Sequence, residues 1–489
     1  MAVLVIAVFP SSALAARVVV LGHNGHATVR NDPFVTGPAV TPQPTLVTTA
    51  GRRRVRHGQR NHHRRRRHQV TVAGTLRRIY LHHHISAAKY HGYVAAFRRA
   101  LATERRLSGT RRSELAAVTS TIHQIAAAHK LTAPRLPVLF AILAVNQQWW
   151  TTGPLLSAYQ RVEIAGSQLV WEYYPGQGIQ LQVLGTFGKA DGLYTGGPAN
   201  YPQLQQLLSE MIPMAARRGG GLAWEYYFHF DGGAPPWTSA MSQATGLEAL
   251  SRAYTATHNG YYLDVARRAL PIFSRPPNAG VAEETGRGVR FMQYTFAPHT
   301  DIINAFLQTL IGLYSYAQAS GNPTAQKLFD EGNAEAIAEV PHYDTGAWSL
   351  YQPGVEDDLS YHKLVTGFLS QLCTWLGTPV YCTTAQHFQS YLKTPPVLAQ
   401  LTKRVRAGRP LTMHFRLSKV SHVGIVISQG SHTVFATSAS FPYGVDRFYV
   451  PAIKRAGTYS VVLDGTDLAG NFSRITGTLT VTPRKRHRP

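Results

Sequence analysis

The residues best suited to chemistry are tyrosines and tryptophans that recur at turns and helix starts in the middle of this 489-residue chain. Their rings stack on the C–H faces of sugars, while the hydroxyl or indole N–H forms hydrogen bonds. Any single one is as often an ordinary core residue, but as a cluster they favour a carbohydrate-binding cleft. The set comprises Tyr173, Tyr174, Trp224, Tyr226, Tyr227, Trp237, Tyr294, Trp348, Tyr351 and Tyr361.

Apolar residues at helical spacing predict helices through most of residues 79–400. Early segments are expected at 86–107, 113–129 and 137–147, and from about residue 157 the pattern is almost entirely helical. The helices come as hairpins joined by Gly, Pro and Asn turns, and such pairs stack to share a core. A linear solenoid and a closed α/α toroid are both compatible with this pattern. Aromatic, glycine-rich loops favour the toroid, because its loops gather at one mouth.

Short alternating strands at regular spacing predict a small β-sandwich over residues 401–484. This segment resembles the immunoglobulin-like modules that are appended to exported bacterial enzymes. Residues 485–489 form a basic tail. No catalytic grouping lies in this segment, so spacing or anchoring is its expected role.

The N-terminal region predicts export and contact with polyanions. Residues 1–16 form a predicted signal peptide, with an apolar run followed by the cleavage pattern Ala13-Leu14-Ala15. Residues 17–78 are interpreted as a disordered basic linker, because the block at 52–68 is dominated by Arg and His. That block either serves only as an unfolded tether or binds cell-envelope polyanions electrostatically. The net charge is +24.

No further apolar run reaches the roughly 20 residues that a membrane span needs, so no transmembrane segment is expected in the mature chain. The protein is expected to be secreted or associated with the cell envelope, which makes nucleic acid an unexpected partner. The 2 cysteines, Cys373 and Cys382, flank a Gly- and Pro-containing turn and are expected to form a disulfide. No zinc motif or glycine-rich nucleotide loop occurs, so no cofactor is expected, and the sequence leaves open whether a divalent metal is needed.

Several motifs in order resemble the D-glucuronyl C5-epimerase C-terminal domain family. The main one is PHYDTGAWSLY at 341–351, followed by LSYH at 359–362. Further similar segments lie at 237–243, 252–254, 298–304 and 310–314, so the resemblance covers roughly residues 173–375. It implies an incomplete (α/α) toroid of helical hairpins. The expected fold class is therefore mainly α, with that toroid over 79–400 and a small all-β immunoglobulin-like sandwich behind it.

The family inverts C5 of a uronic acid within a polymer, and the resemblance implies the same reaction on an acidic polysaccharide. By the resemblance, Tyr361 matches a catalytic tyrosine, Tyr351 a second site tyrosine, and Tyr294 the tyrosine of a Glu-Tyr pair. His362 follows Tyr361, and either polarises its hydroxyl and shuttles the proton or is a structural histidine bound to a loop carbonyl. A base removes the C5 proton from one face, and an acid returns one to the other.

This chain departs from the family at the Glu-Tyr pair, where it has Gln293 before Tyr294. Glutamine exchanges no proton near neutral pH, so one half of the acid/base apparatus is absent or supplied elsewhere. Nearby ionisable residues are Glu283, Glu284, His299 and Asp301. Arg287 and Arg290 are either carboxylate binders or surface arginines. The family's β-rich N-terminal region is not expected here, since helices stand in its place.

The substrate is expected to contact a set of polar and aromatic side chains, namely Gln293, Arg290, Tyr174, Gln177, Tyr227, Trp237, Gln243 and Asn304. Two alternatives remain open at this point. One is a non-catalytic wall or glycan-binding protein with a degenerate cleft. The other is a glycan lyase or hydrolase on the same fold, and inverting hydrolysis requires two facing carboxylates. The carboxylates considered for that role are Glu172, Glu225, Asp231 and Asp301.

Overall fold

A computed structural model describes residues 15–22, 24–36 and 70–483. The chain divides into two compact units. The first unit comprises Met1–Glu284, Phe291–His299 and Thr309–Asp330, and the second comprises Thr285–Arg290, Thr300–Gln308 and Glu331–Pro489. Over the described ranges, each helix is too short or too polar to cross a lipid bilayer.

The described part of the chain contains twelve α-helices. They are α1 (Val72–Leu81), α2 (Ala87–Arg106), α3 (Gly109–Ala127), α4 (Leu136–Thr152), α5 (Val183–Thr195), α6 (Tyr201–Met211), α7 (Ala240–Thr257), α8 (Tyr261–Ala269), α9 (Ile303–Ser320), α10 (Pro323–Glu339), α11 (Leu359–Leu376) and α12 (Pro379–Tyr391).

The strands lie at both ends of the described chain and between the helices. They are β1 (Ala15–Leu21), β2 (Ala27–Thr36), β3 (Arg161–Ile164), β4 (Trp171–Tyr174), β5 (Gly178–Leu181), β6 (Ala216–Arg218), β7 (Gly221–Ala223), β8 (Ala282–Glu284), β9 (Val289–Phe291), β10 (Leu350–Gln352), β11 (Val355–Glu356), β12 (Leu398–Gln400), β13 (Arg404–Arg406), β14 (Leu411–Leu417), β15 (Ser421–Gln429), β16 (His432–Phe441), β17 (Gly444–Val450), β18 (Gly457–Asp467) and β19 (Phe472–Thr482).

A five-stranded sheet in the first unit corrects two predictions from the sequence. Its strand order is β2-β1-β3-β4-β5, with β1 and β2 antiparallel and β1 parallel to β3. The disordered linker predicted over 17–78 is therefore wrong at its start, and also at its end, because α1 begins at Val72. The expectation of an almost entirely helical segment over 157–401 is also corrected, because the short strands β3 to β11 lie between its helices.

The sheet escaped prediction for two physical reasons. Strands β4 and β5 are four residues long and buried throughout, so neither shows the alternation of apolar and polar residues that marks a half-buried strand. In addition, β1 pairs with β3 across the whole helical segment α1–α4, so that Val19 lies opposite Val162. No local pattern reveals a partner that is so distant in the sequence.

Some of the N- and C-terminal predictions lie outside the described residues. These are residues 1–14 of the signal peptide, the basic block at 52–68 and the tail at 485–489. Within the described part, Ala15 and Ala16 begin strand β1, and Ala16 is buried.

The helices that the periodicity predicts are confirmed. Helices α2, α3 and α4 cover the three early segments, and the Ser86 hydroxyl caps α2 by accepting the Lys89 N–H. Helix α7 ends at His258, which adopts a left-handed conformation, and α8 begins at Tyr261. Helix α7 is buried on all sides from Ala240 to Ser251, so it runs through the centre of the first unit.

In the second unit, α11 ends at Gly377, whose φ of 63° suits glycine, and α12 begins at Pro379. This turn brings Cys373 and Cys382 together, and the predicted disulfide is present with Cα atoms 4.8 Å apart.

The C-terminal β region contains a three-stranded sheet, β12-β14-β17, and a five-stranded sheet, β13-β19-β18-β15-β16. Buried side chains from both sheets form one apolar core, which includes Phe415 and Phe448 from the first and Ile425 and Leu463 from the second. The mainly helical chain with a C-terminal β region is thus confirmed. The toroidal closure and the immunoglobulin-like relationship stay predictions.

Candidate active site

A partly open cleft lies in the first unit and is lined mainly by aromatic rings. Its walls come from β4, the start of α5, the segment between β7 and α7, and the residues that follow β9. The lining residues are Tyr159, Glu172, Tyr174, Gln182, Leu184, Tyr226, Phe228, Phe230, Trp237, Ser239, Gln293 and Tyr294.

The aromatic walls are built by stacking. Tyr226 stacks on Trp237 with ring centroids 4.2 Å apart, and Tyr174 stacks on Phe228 at the same distance. Tyr294 meets Trp237 edge-on at 5.7 Å. An isolated β-bridge between Tyr226 and Trp237 fixes the backbone of this wall. Rings with hydrogen-bonding tips around an open cleft suit the alternating apolar and polar faces of a sugar.

A chain of hydrogen bonds crosses the cleft floor. The Leu184 N–H donates to the Tyr226 hydroxyl oxygen over 3.1 Å, and the Tyr226 hydroxyl donates to Gln182 Oε1 over 3.2 Å. Gln182 Nε2 then donates to the Tyr174 hydroxyl oxygen over 2.8 Å. Tyr226 thus donates to Gln182, and Gln182 donates to Tyr174, which leaves the Tyr174 proton for Glu172. The pKa of Tyr174 is raised well above its usual value by burial and by the neighbouring Glu172.

Glu172 is the carboxyl group among the described lining residues of the cleft. Its Oε2 lies 2.7 Å from Arg161 Nη1, and the side chains of Glu172 and Arg161 are only 3% and 2% exposed. The pair follows from the register, because Arg161 on β3 lies opposite Glu172 on β4. Burial raises the pKa of Glu172, and the charge of Arg161 together with Tyr174 offsets only part of that rise.

Gln293 and Tyr294 enter the same cleft beside the start of α7. Ser239 caps this helix by accepting the Ser242 N–H, and its hydroxyl contacts Gln293 Oε1 at 3.4 Å. Burial raises the pKa of Tyr294 to about 12, with Gln293 acting in the opposite direction. Tyr294 is therefore a protonated phenol at neutral pH.

The second Trp-Glu-Tyr-Tyr motif, at 224–227, has a structural carboxylate. Glu225 accepts hydrogen bonds from Arg135 at 2.7 and 2.9 Å, from Arg218 at 2.7 Å and from the Tyr227 hydroxyl at 2.9 Å. Burial alone raises the pKa of Glu225, but the two guanidinium groups outweigh it and hold that pKa below its usual value. A carboxylate held ionised in this way is unsuited to act as a general acid.

Three residues predicted to contact substrate lie in the first unit but do not line the cleft. The Tyr227 hydroxyl is occupied by Glu225, and Gln243 is buried with its amide bonded to the Trp224 backbone on both sides. Gln177 accepts a hydrogen bond from the His229 N–H over 3.2 Å. Of the predicted set, Tyr174, Trp237, Gln293 and Tyr294 are the ones that the structure brings into one cleft.

The other predicted residues belong to the second unit, where Tyr351 and Tyr361 form a pair. Their ring centroids are 4.9 Å apart. Tyr361 lies in the first turn of α11, whose N-terminus is capped by Asp358 through the N–H groups of Ser360 and Tyr361. Tyr351 lies in strand β10. Convergence of Tyr294 with this pair stays a prediction.

His362 is enclosed in the second unit and is stacked on Trp348 at 3.7 Å between ring centroids. Its Nε2 lies 3.0 Å from the Phe388 carbonyl, which only accepts, so Nε2 carries the proton. Its Nδ1 lies 2.7 Å from the Ser349 hydroxyl. Burial lowers the pKa of His362 to about 4. These contacts favour the structural alternative for His362, while its catalytic role stays a prediction.

Asp357 completes this buried cluster. Its Oδ2 lies 2.5 Å from Ser349 Oγ. The Ser349 hydroxyl donates to this carboxylate oxygen, and Ser349 Oγ also lies within hydrogen-bond distance of His362 Nδ1. Burial raises the pKa of Asp357 to about 7, and the hydrogen bond from Ser349 offsets part of that rise.

Arg290 and Asn304, which were predicted to contact substrate, have different surroundings in the second unit. Arg290 forms ion pairs with Asp301 and Glu339, so two carboxylates already balance its charge. The ion pair with Arg290 also engages Asp301, one of the carboxylates considered for hydrolysis. Asn304 is buried, and its Oδ1 has no hydrogen-bond partner among the described residues. Over the described ranges, no group of three or more His, Cys, Asp or Glu residues is arranged to hold a metal ion.

Sequence reasoning missed several residues of the cleft, chiefly Gln182, Phe228, Phe230 and Ser239. The alternation Tyr226, Phe228, Phe230 is a visible signal of an extended wall with every second ring on one face. Gln182 carries no such signal, because its role depends on a sheet that joins distant segments. Glu172 was considered only as a hydrolytic carboxylate.

Comparison with known proteins places the strongest similarity in the middle of the chain. Residues 219–390 match the family described as D-glucuronyl C5-epimerase C-terminus. The D-glucuronyl C5-epimerase of Caenorhabditis elegans is 32% identical over 130 residues, which are 24% of this chain and 21% of that protein. An uncharacterized protein of Methanocaldococcus jannaschii is 28% identical over 137 residues, 27% of this chain and 44% of that protein. The chain thus spans less than half the length of either relative.

Two solved structures show more remote similarity. A GH76 alpha-mannanase of Bacteroides thetaiotaomicron is 12% identical with a TM-score of 0.35, over 47% of this chain and 65% of that chain. A cellobiose 2-epimerase of Bacillus thermoamylovorans is 9% identical with a TM-score of 0.35, over 62% of this chain and 76% of that chain. The resemblance to the C5-epimerase C-terminal family is confirmed for residues 219–390.

Proposed function

We propose that this protein is a carbohydrate-active epimerase that inverts C5 of a uronic acid within an acidic polysaccharide. The observation that carries the proposal is the position of Tyr294. It lies within the segment that matches the C5-epimerase family, and its side chain lines an aromatic cleft of sugar-binding character. Tyr351 and Tyr361 lie within the same matched segment and form a contacting pair.

The reaction requires two proton transfers at one carbon. A base removes the C5 proton, and the electron pair of the broken C–H bond moves onto the adjacent carboxylate as an enediolate. An acid then forms a new C–H bond on the opposite face. In the cleft, burial raises the pKa of Tyr294 to about 12, so Tyr294 is protonated at neutral pH and has a proton to donate to the substrate.

The charge of the chain supports an acidic substrate. With 49 Lys and Arg residues against 25 Asp and Glu residues, the net charge is +24, which draws polyanions toward the protein. We extend the proposal to the cell exterior: the protein is secreted or held at the cell envelope, and the basic block at 52–68 contacts envelope polyanions.

A second candidate function is binding without catalysis. The observation that favours it is Gln293, which occupies the place of the family's glutamate and exchanges no proton near neutral pH. Hydrolysis is supported less well, because Glu225 is held between two arginines and Asp301 is paired with Arg290.

Deuterium exchange separates the candidates. Purified protein is incubated in D2O with heparosan, a glucuronate-containing polymer, and C5 deuteration is measured by NMR. Deuterium at C5 supports the epimerase. Binding of the polymer without deuteration identifies a binding protein, and new reducing ends identify a hydrolase.

A further inference from the structure

The two Trp-Glu-Tyr-Tyr motifs provide an internal comparison between two buried glutamates. Glu225 has hydrogen bonds from two arginines and a tyrosine, and it lies behind the cleft wall. Glu172 has one arginine, Arg161, and lines the cleft. The same motif therefore places one carboxylate in a fully bonded structural site and the other, also buried, among the lining residues of the cleft.

The Arg161–Glu172 pair is incompletely bonded. Although the charges are 2.7 Å apart, Glu172 Oε2 and the three guanidinium nitrogens of Arg161 have no well-aligned hydrogen-bond partner among the described residues. Buried polar groups are nearly always hydrogen-bonded, and exceptions concentrate at functional sites. A buried ion pair that lacks these bonds does not recover its desolvation cost, so packing stability alone does not account for it.

The cleft also needs a proton acceptor. Gln293 removes the carboxylate that the C5-epimerase family has before its tyrosine, and Gln293, Tyr294 and Glu172 line one cleft. We propose that Glu172 takes over the acid/base role that Gln293 cannot perform, with Arg161 as the positioning residue that holds its carboxylate. This inference rests on the proposed epimerase function.

The proton transfer is balanced as follows. The Glu172 carboxylate forms an O–H bond with the C5 hydrogen, and the C–H electron pair moves into the enediolate of the substrate. The Tyr294 O–H bond breaks as its proton forms the new C5–H bond, which leaves a phenolate. Transfer of the proton from Glu172 to that phenolate, through solvent, restores both groups.

The surroundings of Glu172 suit a base. Its pKa is raised by burial, which strengthens it as a proton acceptor relative to an exposed glutamate. The donors of Tyr226 and Gln182 are directed along the cleft floor toward Tyr174, and the Tyr174 hydroxyl is left to stabilise the ionised carboxyl. Glu225, with its lowered pKa, has the opposite environment.

The test compares Glu172→Gln with Glu163→Gln in the full-length protein. Glu163 lies on the neighbouring strand β3, pairs with Arg30 at 2.6 Å and does not line the cleft. We expect Glu172→Gln to lower the rate of C5 deuteration of heparosan by about 100-fold or more, the usual effect of removing a general base. The dissociation constant for the polymer should change by less than about threefold, whereas a structural role alters binding and melting together. Glu163→Gln should keep the wild-type rate per folded molecule.

A rescue experiment sharpens the comparison. In the Glu172→Gln background, Gln293→Glu returns a carboxylate to the cleft and should raise the exchange rate at least tenfold. If Glu172→Gln does not fold by circular dichroism, Glu172→Asp replaces it, with an expected loss of at least tenfold.

The failures are distinguishable. A folded Glu172→Gln or Glu172→Asp protein that exchanges within threefold of wild type overturns the role of Glu172 and leaves the epimerase function intact. A wild-type protein that binds heparosan without exchange overturns the proposed function, and the role of Glu172 falls with it.

Discussion

Gln182 donates a hydrogen bond from Nε2 to the Tyr174 hydroxyl oxygen over 2.8 Å, and this contact sets the direction of the protons on the cleft floor. The amide oxygen of Gln182 must then face Tyr226, which donates to it over 3.2 Å. With its oxygen already accepting a proton, Tyr174 can direct its own toward Glu172. The cleft is thus polarised before a substrate arrives, which lowers the reorganisation that a proton transfer requires.

Tyr294→Phe removes the phenolic proton but keeps the ring that packs on Trp237 and Phe296. We expect C5 exchange to fall by about 100-fold or more, because the variant has no acid at this position. Binding of the polymer, measured by isothermal titration calorimetry, should change little. Tyr262→Phe, a tyrosine of helix α8 outside the cleft, is the matched control. Exchange that persists in Tyr294→Phe at the wild-type rate removes Tyr294 from the mechanism.

The pH profile of exchange follows from the two raised pKa values. The reaction needs Glu172 ionised and Tyr294 protonated. Because burial raises the pKa of Glu172 despite Arg161 and Tyr174, the acid limb of the profile should lie above the range of an exposed glutamate. Because burial raises the pKa of Tyr294 to about 12, the rate should stay level through pH 10. An alkaline fall centred near pH 8 is inconsistent with this assignment.

Glu225→Gln tests the structural role of Glu225, the glutamate of the second Trp-Glu-Tyr-Tyr motif. Two arginines, each 12% exposed, lose their anionic partner, so the free energy of unfolding should fall by about 3–5 kcal/mol. The folded-state pKa of Glu225 is lowered, so its stabilisation is present above the pKa of an unfolded glutamate and is lost as the pH falls through the lowered value.

Urea titrations at pH 7 measure this loss. Asp264→Asn, which removes a surface ion pair with Arg267, serves as control and should cost less than about 1 kcal/mol. Equal losses in the two variants refute the structural assignment of Glu225.

Part of this molecule is predictable from the sequence because the signal is local. Helices α2 to α4 and α7 to α10 follow from apolar spacing and from turns such as that at His258. Tyr294 and Trp237 are recognisable from the family motifs. The sheet, by contrast, depends on pairing between β1 and β3, and this pairing puts Arg161 opposite Glu172. The orientation of Gln182 depends on the same sheet, so neither contact is visible in the sequence.

His362 illustrates a different limit. Its place beside Tyr361 in the sequence suggests a shared reaction, but successive residues on a helix point in different directions, about 100° apart. His362 therefore turns into the interior toward Ser349 and Phe388. Adjacency along a helix says little about adjacency in a site.

Asp357→Asn tests the raised pKa of Asp357, which lies in the buried cluster with Ser349 and His362. A carboxyl group whose pKa is raised in the folded state makes the protein less stable as the pH rises from the group's pKa in the unfolded state to its pKa in the folded state. For Asp357 that upper value is about 7, owing to burial and to Asp358 and Glu356, while Ser349 opposes the rise. The amide oxygen of asparagine still accepts the hydrogen bond from Ser349, and the side chain carries no ionisation cost.

We therefore expect the stability advantage of Asp357→Asn over wild type to grow by about 1–3 kcal/mol between pH 4 and pH 8. Urea titrations at both pH values measure it. Asp358→Asn, which keeps the cap of α11, should show no comparable growth. A pH-independent difference for Asp357→Asn means that the pKa of Asp357 is the same in the folded and unfolded protein, which contradicts the raised value.

The central claim is that two different groups of this protein move a proton at C5 of a glucuronate unit. The direct measurement is a time course in D2O with heparosan, in which NMR and mass spectrometry record deuterium at C5 separately in glucuronate and iduronate units. Early deuterium is expected chiefly in newly formed iduronate, because the second proton comes from a phenol that has exchanged with solvent. Polymer that is bound but carries no C5 deuterium in either sugar contradicts the claim.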